Sequence, residues 1–359
     1  MTLSDAERLA RLRLVRTEGV GAVTFRRLLE RFGSAGNALA ALPDLGGRPL
    51  APPDRQEARA EMERASAAGA RHLFLGEADY PARLAALADP PPLLVVRGNL
   101  ALAARPALAI VGARNASAAG RSLARELAEG LAAEGFVIVS GMARGIDAAA
   151  HRGALKGGTI ACLAGGIDVA YPPENADLQQ EVAAQGLLVS ELPPGTEPQA
   201  RHFPRRNRLI AGLAEGVLVI EAAPGSGSLI TARLAAEAGR EVLAVPGHPH
   251  DPRARGGNGL LKAGATLVEE VADVVAALRP FALAPAPAPT PRRPVPPVPA
   301  ETPGDGRERV AGLLSPVPVP VEEIVRLSGL GAGEVAALLT EFELEGRLVR
   351  HAGGRVAAA

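Results

Sequence analysis

An arginine stands where a dinucleotide-binding loop would need a glycine. The apolar run Ala107–Val111 ends at Gly112, and Ala113, Arg114 and Asn115 follow, with Gly120 further on. In the G-x-G-x-x-G fingerprint the second glycine lets backbone approach a pyrophosphate; here Arg114 takes that place and closes the approach. An arginine at a strand exit instead holds a fixed fork of donors over an anion, the alternative being a surface arginine paired with an acid. A second apolar run, Phe136–Val139, leads into Ser140, Gly141, Met142, Ala143, Arg144, Gly145, Ile146 and Asp147. Ser140 and the amides of Gly141 and Gly145 suit a phosphate cradle, with Arg144 as its cation. Asp147 suits the first turn of the following helix, where free amides meet a carboxylate. Asp147 and His151 are four apart and share a helix face. With no third partner at sensible spacing, they read as capping and positioning groups rather than as an acid–base pair.

The strongest local charge signal is EPQARHFPRRNR at 197–208. Arg201, Arg205, Arg206 and Arg208 face a single acid, Glu197, with Phe203 among them. Arginines interleaved with an aromatic suit single-stranded nucleic acid, guanidiniums meeting phosphates and the ring offering a stacking face; alternatively Phe203, beside Pro204, anchors the loop to the core. Asn207 either joins that contact or ties the loop to a neighbouring helix. Gly165, Gly166 and Asp168 follow another strand, the glycines allowing close backbone approach and Asp168 capping the turn. Tyr171 either stacks on a base or packs on its loop. Gly227 and Ser228 open a helix whose free amides form an anion site, but no Walker lysine accompanies them. Lys262, after Gly256, Gly257 and Gly259, would add one more cation to the same rim. His248, His250 and Asp251 are too cramped, with Pro249 between, to read as a metal site. No cofactor motif and no Ser–His–Asp or Cys–His arrangement is evident, so no catalytic residue is assigned.

These loops need a scaffold. Leu93–Val96, Ala107–Val111, Phe136–Val139, Thr159–Leu163, Leu187–Val189, Val217–Ile220 and Glu241–Val245 are short apolar runs without alternation, and stretches such as Gly120–Glu134 and Leu229–Gly239 between them have helical periodicity. Strands apolar on both faces, separated by helices, predict an α/β fold: a Rossmann-like, doubly wound, mostly parallel sheet of six or seven strands with its ligand at their carboxyl ends. Residues 1–75 read as a small helical domain of the helix-hairpin-helix kind, broken at Gly19-Val20-Gly21 by a turn that either holds a phosphate or is plain. Residues 76–279 form the core with its lead-in segment. Residues 280–306, dense in Pro and Ala, read as an extended linker. Residues 307–359 read as helices followed by a hairpin at Gly353-Gly354, a winged-helix-like domain. Glu334, Glu341, Glu343 and Glu345 make its last helical stretch acidic, which favours protein contact or a structural role over DNA reading.

Composition bounds the partners. The 359 residues carry 39 Lys and Arg against 39 Asp and Glu, so any nucleic-acid site depends on where positive charge gathers rather than on overall charge. Aromatics are 3% and Trp is absent, so the core is aliphatic. The lone Cys162 fits a reducing compartment. The opening MTLSDAERLARLRL has no signal-peptide pattern, and no apolar stretch of about 18 residues is present. A cytoplasmic protein without membrane insertion is expected.

Taken together the loops resemble the DNA-processing protein A family (DprA/Smf). The stretches that carry the likeness are VGARNASAAG at 111–120, SGMARGIDAAAH at 140–151, GGTIACLAGGIDVAYPPEN at 157–175, SELPPG at 190–195, HFPRRNRLIAGL at 202–213, EAAPGSGSLITARLAAEAGREVLAVPG at 221–247 and GGNGLLKAGA at 256–265. They cover about half the chain. The resemblance implies a Rossmann-like core that binds single-stranded DNA, forms a homodimer and loads RecA recombinase on the strand during natural transformation, with no enzymatic activity. It places Arg114, the 140–145 loop and the FPRRNR stretch on the DNA. Some members have a lysine three residues before the phenylalanine; here Ala200 stands there, and Arg201 beside it is the candidate second cation. Glu221 and Gly112 fall to structural roles. Two alternatives remain: an enzyme acting on a nucleotide phosphate, and a protein-interaction scaffold.

Overall fold

Strands that are apolar on both faces must be covered on both, and the protein is built around that requirement. The computed structural model describes residues 3–44, 50–282, 306–315, 318–351 and 353–358. Most of the stretch expected as a linker, residues 283–305, lies outside them. The chain divides into two compact units, Met1–Pro285 and Ala286–Ala359.

The first unit opens with helices α1 (Asp5–Arg16), α2 (Ala22–Phe32), α3 (Ala35–Ala41) and α4 (Arg55–Ala67). It continues through β1 (Arg71–Phe74), α5 (Ala82–Ala85), β2 (Leu93–Gly98), β3 (Ala107–Gly112), α6 (Ala118–Ala133), β4 (Val137–Ser140), α7 (Ile146–Ala154), β5 (Thr159–Cys162), α8 (Ala176–Gln185) and β6 (Leu187–Ser190). It ends with α9 (His202–Leu213), β7 (Gly216–Ile220), α10 (Gly227–Glu237), β8 (Glu241–Ala244), α11 (Arg255–Lys262), β9 (Thr266–Leu267) and α12 (Val271–Ala282). The strands form one nine-stranded sheet in the order β1-β2-β6-β5-β4-β3-β7-β8-β9. All neighbours from β6 to β9 are parallel, while β2 runs antiparallel to both β6 and β1. Two aliphatic layers sandwich the sheet, one around Val111, Val139, Ile160 and Val219, the other around Ile110, Ile138, Leu127 and Leu218.

Every strand expected from the sequence is present. The sheet exceeds the expected six or seven because β1 and β9 join its edges. β1 lies inside the segment read as wholly helical, residues 1–75: its Phe74 packs with Leu12 of α1, Ala58 of α4 and Leu93 of β2, and backbone pairing to β2 carries the rest. The helical segment is fastened to the sheet by charge as well. Arg16 pairs with the buried Glu61 at 2.8 Å and donates to the Glu191 carbonyl at 2.9 Å. Among the described residues no helix is long and apolar enough to cross a membrane.

The second unit holds α13 (Gly306–Leu313), β10 (Val319–Pro320), α14 (Val321–Ser328), α15 (Ala332–Leu344), β11 (Leu348–His351) and β12 (Arg355–Ala358). Its strands order as β10-β12-β11, all antiparallel, around Val310, Ile324, Val335, Leu339 and Phe342, a winged helix.

His151, on α7, is fully buried. The Thr159 hydroxyl donates to the Ile138 carbonyl at 2.8 Å, so it must accept from His151 Nδ1 at 2.7 Å, leaving Nε2 bare and the ring neutral. Burial pushes its pKa down to about 3. Below the ordinary imidazole range, near 6.5, the unfolded chain binds a proton that the folded chain refuses until about pH 3. Stability therefore falls as pH falls through that window, by up to about 1.4 kcal/mol per pH unit. Urea denaturation of wild type and His151→Gln at pH 7.5 and pH 5.0 checks this: the loss between the two pH values is expected to be about 2 kcal/mol smaller in the variant.

Candidate nucleic-acid interface

The strand order reverses between β3 and β7, and beside that reversal the loops after β3, β4 and β5 and the start of α9 surround a crevice at the carboxyl ends of the strands. Glycines let the loops there lie on one another. A Cβ at Gly112 would stand 1.9 Å from the Ile220 carbonyl, and one at Gly145, whose φ is +76°, would stand 2.2 Å from that of Ala113. Across the reversal Glu221, itself at φ 51°, accepts from the Ser117 amide at 2.8 Å and from its hydroxyl, fixing the first turn of α6.

Beneath the crevice lies a buried cation. Nη1 of Arg206, on α9, donates to the carbonyls of Gly141 and, at 2.8 Å, Cys162; its Nε donates to Asn207 Oδ1 at 3.2 Å. It thereby joins the ends of β4 and β5 to α9. Burial pushes the guanidinium's pKa down, and the Asp147 carboxylate opposes that. Asp147 is buried too and accepts from the amides of Gly141 at 3.1 Å and Ala143 at 3.3 Å. Burial pushes its pKa up, against Arg206 and those two amides. Asn175 completes the frame by donating to the carbonyls of Met142 at 2.9 Å and Ala143 at 3.2 Å, holding Met142 at φ 61°.

Above this frame is a pocket lined by Arg114, Arg144, Tyr171, Phe203, Gly165 and Arg206, among others. The exposed Arg114 guanidinium sits 5.1 Å from the Phe203 ring centre, within cation–π range, and Arg206 approaches the same ring at 6.0 Å. Tyr171, 44% exposed, meets Phe203 at 5.8 Å between centroids, tilted by 56°. Arg144 is largely exposed and reaches Glu174 at 3.4 Å. Two accessible guanidiniums beside an aromatic pair can take a phosphate and a base at once.

The structure brings Arg114, Gly141, Arg144, Phe203 and Arg206 together, and separates or redirects other residues read as phosphate contacts. Ser140 is fully buried and its hydroxyl donates to the Ile110 carbonyl at 2.6 Å, so it holds strands together. The Gly141 amide is engaged by Asp147 rather than free. Asn207 is buried and ties α9 to α10 through the Gly227 carbonyl at 3.2 Å. Ser228 is buried with its hydroxyl on that of Ser226 at 2.9 Å. Arg205 turns to Glu191 at 3.6 Å, and Arg208 pairs with the same carboxylate. Lys262 ends α11, about 10 Å along the helix from its first residue, and stays outside the pocket lining. Arg201, exposed at the start of α9, has its Nε 3.4 Å from His202 Nε2 and stays outside the pocket lining. The glycines at 165 and 166 do allow a close backbone approach, but by residues 193–198 of the chain itself: Cβ atoms there would meet Thr196 O and Pro193 O at 2.9 and 2.7 Å, and Asp168 accepts from the Gly195 amide at 2.7 Å. Asp147 and His151 do not pair, the first facing the 141–143 loop and the second Thr159. Asn175 has no role that sequence reasoning finds, although its place in PPEN after the Gly165–Asp168 turn marks a loop polar group of the kind that fastens backbone.

This geometry coincides with a matched family. The sequence model described as DNA recombination-mediator protein A matches residues 71–279, more than half the chain. The chain belongs to that family. Two further models match, a DprA-like N-terminal HHH domain at residues 5–64 and a DprA winged helix domain at 294–354. Protein Smf of Escherichia coli is 40% identical over 289 residues, 79% of this chain and 77% of that protein. Protein Smf of Synechocystis sp. is 35% identical, and the chain spans 60% of its length. Among solved structures, DNA processing protein A of Streptococcus pneumoniae superposes with a TM-score of 0.65 at 33% identity, over 77% of this chain and 98% of that one. The family member from Helicobacter pylori, whose structure concerns its single-stranded DNA binding mode, superposes with a TM-score of 0.54 at 32% identity, over 58% and 96%.

Arg206 and Arg114 should separate under mutation. Removing a buried, hydrogen-bonded charge leaves its partners unsatisfied and costs about 3–5 kcal/mol, whereas an exposed side chain changes stability by less than about 0.5 kcal/mol. Urea denaturation of Arg206→Ala and Arg114→Ala is expected to show that difference, with Arg206→Lys also destabilised because one ammonium cannot replace the fork.

Proposed function

We propose that the protein binds single-stranded DNA across the crevice and passes the strand to RecA recombinase, acting as a homodimer in the cytoplasm without breaking or forming a bond. The observation that carries this reading is the Arg114–Phe203–Tyr171 surface. Its cation has no ion-paired partner among the described residues and lies over an aromatic face that a base can extend. Such a surface takes backbone and base without reading sequence. Membership of the recombination-mediator family, and the single-stranded DNA binding described for the Helicobacter pylori relative, support it.

The nucleotide-enzyme reading is disfavoured because its three candidate acids and bases are engaged elsewhere: Glu221 by Ser117, Asp147 by loop amides, His151 by Thr159. The Cys162 thiol, which burial pushes up to about 12, is no nucleophile at neutral pH.

Titration of a fluorescent oligonucleotide at several salt concentrations tests the proposal. The wild type should show log K falling steeply with log salt, and Arg114→Ala should reduce the slope by about 0.7 and weaken binding, because one phosphate fewer is held. Equal slopes and affinities would remove Arg114 from the interface. Light scattering at micromolar concentration checks the dimer, expected at twice the 36.7 kDa chain mass.

A further inference from the structure

Beside the crevice a second groove runs between α6 and α7, lined by Arg121, Ser122, Arg125, Arg144, Arg152 and Glu174 among others. We propose that this groove is a second stretch of the nucleic-acid track, gripping the sugar–phosphate backbone of the strand after it leaves the crevice. The proposal rests on the reading of the crevice as a single-stranded DNA site.

Charge distribution is the first argument. The chain as a whole balances 39 basic against 39 acidic residues, yet this groove gathers four arginines and one carboxylate. Glu174 is taken by Arg144 at 3.4 Å. Arg121 uses one donor on the Ala116 carbonyl at 3.1 Å. Among the described residues Arg125 and Arg152 have neither a hydrogen bond nor an ion pair, and both are exposed. Arg121 and Arg125 are four apart on one helix face, an arrangement that repels unless an anion lies between.

Continuity is the second. Arg144 lines both the crevice and the groove, so a backbone held at one reaches the other without a break. Both helices start at the rim and run away from it side by side. Gly153 brings them into contact, since a Cβ there would stand 2.4 Å from the Arg125 carbonyl, and this sets Arg125 and Arg152 at one level of the groove. That level is about 10 Å along the helices from the rim. The groove lining includes no aromatic ring. It therefore suits phosphates, which guanidinium forks take in pairs of hydrogen bonds, and not stacked bases; bases would be held only at Phe203 and Tyr171.

The test compares oligonucleotides of about 4 and about 16 nucleotides on wild type, Arg114→Ala and the triple variant R121A/R125A/R152A. The triple variant should bind the short strand as the wild type does, while for the long strand its salt slope falls by about 2, near 0.7 for each phosphate no longer held, and affinity drops at least tenfold. The corresponding triple lysine variant should keep the slope, because each position retains its positive charge. Wild-type slope and affinity of the triple alanine variant on the long strand overturn the proposal, as does an equal loss on both lengths, which would mean a general weakening of the field. Tight binding of a polyglutamate peptide that competes with no DNA would assign the groove to an acidic protein and overturn it too. If Arg114→Ala spares the short strand, the crevice reading falls on its own, and the length comparison on the triple variant still decides the groove.

Discussion

A single buried guanidinium organises the rim of this sheet. Arg206 is a charge taken out of water, a cost that only dense hydrogen bonding offsets. Two carbonyls, one amide side chain and the field of Asp147 do so. The constraint propagates to its neighbours. Gly141 can carry no side chain, because a Cβ would sit 2.3 Å from Nη1. Asp147 must face back toward the loop it follows, where it stabilises the cation and absorbs two amides that the loop would otherwise leave bare. Phe203, one helical turn before Arg206, is carried into place by the same anchor. The aromatic floor of the crevice is thus fixed by a bond network within the protein, which is what a pre-organised surface requires.

Charge along the chain is a poor guide to charge at a surface. The run 197–208 holds four arginines against one acid, yet Arg205 and Arg208 share the carboxylate of Glu191, and Arg206 is buried. The exposed cations that line the pocket come from other segments, Arg114 after β3 and Arg144 after β4, while the exposed Arg201 of the run stays outside the lining. Glu191 has a second duty, since its carbonyl receives Arg16 and so links the helical segment to the same end of the sheet. Zero net charge and a locally positive rim are compatible because the acids are drawn inward to brace arginines while a few arginines are left unbraced.

How far the sequence can be read follows from the same physics. The central strands are legible because full burial writes itself as unbroken apolar runs. β1 is not: Arg71 is exposed, His72 is a polar residue buried with its Nε2 3.1 Å from Glu61, and the strand follows directly on a helical stretch. β9, two residues long, has no pattern to find. At the site, Arg114 and Phe203 are legible from strand exit and spacing. Asn207 ties its helix to the adjacent one, as one of its two sequence readings has it, whereas Ser140, Ser228 and Lys262 are misplaced by sequence reasoning for one reason. Residue type gives a donor, but whether it faces ligand or scaffold depends on helix direction and on which backbone carbonyl lies within about 3 Å, and neither is written in one dimension.

The winged helix shows the converse. Its helix α15 reads as acidic, which argues against a face for nucleic acid. In the folded unit Glu341 and Glu345 are held by Arg307 of α13, and Glu343 by Arg350 of β11 at 2.7 Å. Arg307 and Arg347 also cover the Phe342 ring at 4.9 and 5.1 Å. The negative charge counted along the helix is therefore largely answered by cations from other elements, as the positive charge of α9 is answered by Glu191. A helix's partner cannot be inferred from its own formal charge. What a partner meets is the residue left over after the fold has paired its own groups, and in this protein that remainder is positive at Arg114 and along the groove between α6 and α7.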